Sequence, residues 1–235
     1  MQHTDNHMKA YYNSKGQRVM RVSQVIKRLA KEQIAMWANM LGFKGVSYKK
    51  ELERTANIGS LCHDVLEHFV NPNRLAIIDY EAYGLDEWSI PEAKKALMSF
   101  FAWYKNNKER FKVLHTEFVV VGETLGGTID CIIESWYNKD KVIFVDYKTS
   151  GDVYLTQYLQ LAAYVMIYEE VYGKNTVDGV MILRLDKKHG RPAEGKLIRY
   201  KDLKMFMVMF KSLFEVAYCE EMLNGVYKEM IETIY

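Results

Sequence analysis

Two acidic residues and a lysine fall close together near the middle of the chain. Asp146, Tyr147 and Lys148 close a run of mostly apolar, β-branched residues at 141–145, and Asp130 lies inside a second such run at 128–133. The polar turn Asn138-Lys139-Asp140 separates the two runs, a pattern that predicts a β-hairpin. Residues two apart on a strand share a face, which puts the Asp146 carboxylate beside the Lys148 ammonium. Paired carboxylates suit a hard divalent cation such as Mg²⁺ or Mn²⁺, which takes oxygen ligands and keeps some water. An adjacent ammonium can orient attacking water and stabilise an anion as it forms. By themselves, however, these residues are also what the surface of an ordinary hairpin carries.

A second set lies upstream. Gly59, His63 and Glu67 recur every four residues, which on a helix aligns them along one face. Gln160 and Tyr164 repeat that spacing downstream. Taken together, these residues resemble the RecB-like branch of the PD-(D/E)XK nuclease superfamily. Its motifs run G-x-x-x-H-x-x-x-E, G-x-x-D, D-x-K-T and Q-x-x-x-Y. Here they read Gly59/His63/Glu67, Gly127/Asp130, Asp146/Lys148/Thr149 and Gln160/Tyr164, in that order. Each motif is weak alone, and four in register are specific.

The resemblance implies a fold, a reaction and a site. The fold is α/β (α+β): a restriction-endonuclease-like αβββαβ core with a central mixed sheet flanked by helices. The reaction is Mg²⁺- or Mn²⁺-dependent hydrolysis of DNA, with one or two ions, as in phage and mitochondrial genome maintenance exonucleases. In that reading His63, Asp130, Asp146, the carbonyl of Tyr147 and the strand acid Glu117 hold the metal. Lys148 orients the attacking water, and Glu67 steadies His63 or a water. Gln160 and Tyr164 hold the DNA backbone or the surroundings of Lys148, Thr149 faces DNA, and Trp37 stacks on a base. An imidazole ligand tilts the preference toward Mn²⁺. The substrate is single-stranded or end-bearing DNA, and a recombination or replication protein is a natural partner. Three rivals are a structure-specific endonuclease or junction resolvase of the same fold, a catalytically silent DNA-binding subunit, and a metal hydrolase of small phosphates. The last would be expected to carry a glycine-rich phosphate loop, which the sequence does not contain.

Composition bounds the rest. At 235 residues and 49% apolar content, the chain suits one domain with a substantial core. The expected divisions are an N-terminal helical extension at 1–58, a catalytic core at 59–186, and a C-terminal strand and helix at 187–235. Three scattered cysteines give neither a disulfide framework nor the four ligands of an iron–sulfur cluster, so none is expected. They point to a reducing, cytoplasmic setting. No apolar run reaches membrane-spanning length, and no signal peptide is apparent. Net charge is only +2, but residues 1–70 carry eleven Lys/Arg against six Asp/Glu and residues 184–204 eight against three. Two basic regions flanking an acidic centre suit a polyanion.

The elements that must position these groups follow from periodicity. Ser23 is expected to cap a helix at 24–41, and Ser47 a longer one at 48–70 that Asn71-Pro72 stops. Ser89-Ile-Pro91-Glu92 opens a helix to about residue 108. Strands are expected at 112–122, 125–136 and 141–148, then a helix at 153–172 capped by Ser150 or Asp152, strands at 177–185 and 196–200, and a long helix from Asp202 to about Glu232.

Overall fold

A computed structural model describes residues 10–29, 32–71 and 78–234, and side chains within these except at 32, 33 and 225–234. In chain order the elements are β1 (Tyr11–Tyr12), β2 (Arg18–Arg21), α1 (Val22–Ile26), α2 (Glu32–Phe43), α3 (Tyr48–Val70), α4 (Ser89–Asn107), β3 (Val113–Val121), β4 (Leu125–Glu134), β5 (Val142–Lys148), α5 (Leu155–Tyr172), β6 (Val177–Arg184), β7 (Glu194–Arg199) and α6 (Lys204–Ile234). The expected order of helix, three strands, helix and strand is α4 or α3, β3–β5, α5 and β6.

One mixed sheet runs β1-β2-β4-β5-β6-β7, with β3 paired to the other edge of β4. Its two faces carry separate cores. Phe144, Ile132, Val180 and Ile182 pack under α5, α1 and α6, whereas Ile143, Val145, Tyr147 and Ile133 pack under α3 and α4. Strands buried on both faces need apolar residues at every position, which is why β5 and β6 read as continuous apolar runs rather than as alternations.

The sheet forks at its centre. β4 and β5 pair antiparallel only from Glu134↔Val142 to Cys131↔Val145. β2 joins the same edge of β4 further back, at Met20↔Leu125 and Arg21↔Gly126. Positions 127–129 of β4 therefore ladder with β3 alone among the described residues, and Asp130 falls between the β3 pairs of Ile129 and Cys131. Asp130 on one arm and Asp146 on the other stand at the mouth of this fork.

Several local expectations shift. Helix 24–41 is two helices, α1 and α2, and Ser23 lies inside α1 rather than capping it. Arg21 holds the cap position, and its N–H donates to the Gln24 side chain at 2.9 Å. The helix at 153–172 starts at Leu155 after Tyr154, whose N–H donates to Gln157 Oε1 at 3.1 Å. Ser150 instead accepts from Gln157 Nε2 at 3.1 Å. In both places a glutamine at the third helical position reaches back to accept the N–H of the cap residue, and no serine or aspartate side chain caps the helix. Ser47 caps α3 as expected, and Asn71 ends it. Of the strand pair at 11–21, closed by a turn with Gly16 at φ +73°, only the second strand was expected, as an extended run at 19–24 that in fact ends at Arg21.

Candidate active site

His63 reaches the fork from the middle of α3. Its Nε2 lies 2.9 Å from the Tyr147 carbonyl and its Nδ1 lies 3.4 Å from Asp130 Oδ2. The same Asp130 oxygen accepts the Tyr147 N–H at 2.9 Å. The ladder between β4 and β5 ends one residue earlier, so a carboxylate side chain takes over a backbone acceptor's role and holds the two arms together.

Alternation along β4 breaks at this point. Ile129 belongs to the core under α5 and Cys131 to the core under α3, although residues two apart on a regular strand share a face. Opposite Asp130 the partner strand is also distorted. Glu117 lies between the pairs Thr116↔Cys131 and Phe118↔Ile129 and has φ +46°, a left-handed conformation that non-glycine residues seldom adopt. Ligand atoms of His63, Glu117 and Asp130 all fall within 4.8 Å of one another.

Asp146 and Lys148 form the second half of the site. They lie on the Phe144 side of β5, and Lys148 Nζ sits 2.8 Å from Asp146 Oδ1 and 2.7 Å from Oδ2. Burial pushes the Asp146 carboxyl up to about 6, with the Lys148 ammonium pulling it down and Asp130 adding to the rise. Burial also opposes the charge on Lys148, but Asp146 and Asp130 overcome it and hold the ammonium protonated. Asp146 lies outside the triad of possible metal ligands.

The residues present fit a divalent cation. A neutral imidazole has one N–H, so whichever nitrogen of His63 carries it, the other turns a lone pair toward an oxygen. A cation or a second proton between the lone pairs resolves that conflict. The 3.4 Å between His63 Nδ1 and Asp130 Oδ2 also suits two neighbouring ligands of one ion, since such ligands at about 2.1 Å from an octahedral ion lie about 3 Å apart. In addition, Asp146 Oδ2 is buried without a well-directed hydrogen bond despite its ion pair.

A polar pair backs the site from α5. Gln160 Nε2 donates to the Tyr164 hydroxyl at 2.9 Å. The Tyr164 ring packs so closely on β4 that a Cβ at Gly127 would lie 2.4 Å from it. Tyr164 is buried, and burial raises its phenol far above the usual range, so it stays neutral. Thr149 lies against α3, its Oγ1 3.6 Å from where a Cβ on Gly59 would be.

Other candidates stand further off. Glu67 is one turn along α3 from His63 and is not part of the triad. Trp37 meets Tyr48 edge-on at 5.4 Å. Tyr48 begins the helix that bears His63, fifteen residues and so about 22 Å away along its axis. One basic residue beside the site was not anticipated. Arg184 pairs with Lys148 across the parallel β5–β6 ladder, and its Nη1 donates to the Gly151 carbonyl at 3.2 Å. Only that register singles it out from other strand-end arginines.

A mixed sheet flanked by helices, with acids, an imidazole and a lysine gathered at a central fork into a possible metal site, is a restriction-endonuclease-like architecture. The sequence profile of the PD-(D/E)XK nuclease superfamily matches residues 38–231, and the chain belongs to that superfamily. Nucleases of this superfamily use divalent metal ions. The fold is similar to the crystal structure of a Eubacterium rectale protein provisionally named an exonuclease, with TM-score 0.51, 14% identity, and coverage of 86% of this chain and 82% of that one. A more distant similarity, to the structure of SSO0001, has TM-score 0.38 and 11% identity over 90% of this chain and 81% of that one. No curated protein matches the chain in sequence.

Proposed function

We propose that the chain is a Mg²⁺- or Mn²⁺-dependent deoxyribonuclease of the RecB-like branch, hydrolysing DNA from free ends or in single strands during replication, recombination or repair. The observation that carries this reading is the meeting of His63, Glu117 and Asp130 within 4.8 Å beside the Asp146–Lys148 pair. His63, Asp130, Glu117 and the Tyr147 carbonyl would hold the cation, with Asp146 turning to it from Lys148. When bound, such an ion acidifies water and offsets the negative charge that builds on a phosphodiester under attack. Lys148 stays charged and donates hydrogen bonds to the attacking water or to a phosphate oxygen. The Tyr147 N–H holds Asp130 in place, and Glu67 steadies the face of α3 that presents His63. Gln160 gives its hydrogen bond to the Tyr164 oxygen, so the phenol proton remains available to a DNA phosphate, with Thr149 and Arg184 alongside. Residues 1–235 act as one nuclease domain with the divisions given above. Among the described residues no helix is long and apolar enough to cross a membrane. The free, buried thiols of Cys62 and Cys131 suit a reducing cytoplasm.

The test uses oligonucleotides labelled at the 5′ or 3′ end, with closed circular single strands as a control, in Mg²⁺ or Mn²⁺ and in EDTA. The expected result is mononucleotide release from linear DNA only, abolished by EDTA. Lys148→Ala should lower turnover about 10²–10³-fold while DNA binding persists. Full hydrolysis by purified Lys148→Ala protein would refute the assignment. Cleavage of circles would replace exonuclease by endonuclease.

A further inference from the structure

The long C-terminal helix α6 buries one face and leaves the opposite one bare. Phe210 and Ala217 are fully buried against the rest of the fold, whereas Met205 is 76% exposed, Val208 57%, Val216 55% and Leu223 62%. Ser212 and Cys219 are exposed between them. On a helix these residues form one narrow stripe, because their spacings are three or four. A soluble protein seldom leaves such a contiguous apolar stripe in water.

Two features of the stripe identify what covers it. The first is its symmetry. Met205, Val208, Val216 and Cys219 stand seven and four residues before Ser212, and four and seven after it. An antiparallel copy of the same helix crossing at Ser212 would therefore set Val208 on the partner's Val216 and Met205 on the partner's Cys219, with serine on serine at the centre and Leu223 opposite Lys201 at each end. The second is charge. Lys201 and Lys204 lie at the start of the segment and Glu220 and Glu221 toward its end, all exposed. The two glutamates share the single cation Arg28 of their own chain, at 2.5 and 3.9 Å, so that end keeps a net negative charge. Antiparallel pairing brings basic ends toward acidic ends, and parallel pairing would bring like toward like. Lys211 and Glu215 flank the crossing point on one side, so each Lys211 comes beside the partner's Glu215 and both ion pairs form at once.

We propose that this face of α6 is a homodimer interface, with two copies related by a two-fold axis through Ser212. Such an interface is self-complementary, as two-fold symmetry requires. It is independent of the nuclease reading, because none of these residues belongs to the candidate active site.

Sedimentation equilibrium of the full chain at tens of micromolar tests it. The expected mass is twice that of the chain, and Val208→Glu or Val216→Glu should halve it with thermal unfolding and far-UV circular dichroism otherwise native. A Ser212→Cys substitution in a Cys219→Ser background fixes the register: mild oxidation should yield a disulfide-linked dimer on a non-reducing gel. A chain that sediments as a monomer overturns the proposal. So does a dimer that survives Val208→Glu, or one whose Ser212→Cys form does not cross-link.

Discussion

A neutral imidazole has one proton to give, and His63 faces oxygens from both of its nitrogens. The conflict is local, and a cation is the economical solution, so the residue types at the fork carry much of the functional argument. Glu117 adds a second sign of local strain. A left-handed backbone at a non-glycine residue costs on the order of 1–2 kcal/mol, and such strain tends to gather at functional sites. The cost should be visible by substitution. In EDTA, Glu117→Gly protein should be more stable than Glu117→Ala by about 1 kcal/mol, since only glycine takes that conformation freely, while both should bind Mn²⁺ more weakly than the natural chain. Thermal unfolding and calorimetric Mn²⁺ titration report the two effects, and equal unfolding temperatures for the two variants would remove strain from the account.

At the scale of elements, the site depends on how closely α5 lies on β4. Gly127 has no side chain because the Tyr164 ring occupies that space. Gly59, by contrast, would admit a methyl group at ordinary contact distance from Thr149. The two motif glycines thus differ in kind: one makes room for a ring, the other lies beside a hydroxyl with space to spare. Gly127→Ala should destabilise the fold by about 1–3 kcal/mol, the usual cost of overpacking a full core. Adding Tyr164→Leu should recover part of that loss, because the smaller side chain vacates the space. Urea unfolding of the single and double variants measures this coupling. Strictly additive losses would mean that the two residues do not compete for the same volume.

Across the whole molecule, β6 and β7 must be tied to the helices on the far face of the sheet, and Asp186 does this. Its N–H donates to Ser99 Oγ of α4 at 2.9 Å, and its carboxylate accepts from Arg191 Nε at 2.7 Å and from the N–H groups of Lys188 and His189 at 3.1 Å. The Arg191 hydrogen bond, helped by these N–H groups, holds the carboxyl well below its usual value of 3.8. A carboxyl depressed in the folded state contributes stability that is fully present above the unfolded value and is lost as pH falls through the folded one. Stability should therefore decline as pH drops below about 4, and Asp186→Asn protein should show a shallower acid decline from a lower starting point. Urea midpoints compared at pH 7 and pH 3 test this, and parallel declines in the two proteins would exclude Asp186 as a source.

Much of this molecule follows from short-range rules. Ser47 and Asn71 bound α3 because capping is local, and the apolar runs on either side of Asn138-Lys139-Asp140 pair because a short turn leaves them little else to do. The order of the motifs was enough to assign the superfamily and to single out His63, Asp130, Asp146 and Lys148 as candidates, to which the family resemblance added Glu117. Residue spacing set Asp146 beside Lys148 but did not disclose the rest of the grouping. Glu117 joins His63 and Asp130 at a left-handed backbone position, Asp146 stays with Lys148 outside that triad, and Trp37, on α2, packs on Tyr48 at the far end of α3. Strand neighbours far apart in sequence, such as β2 on β4 and Arg184 beside Lys148, depend on where the sheet opens and which helix covers it. Those choices are made by packing between distant segments, and no local pattern of residues contains them.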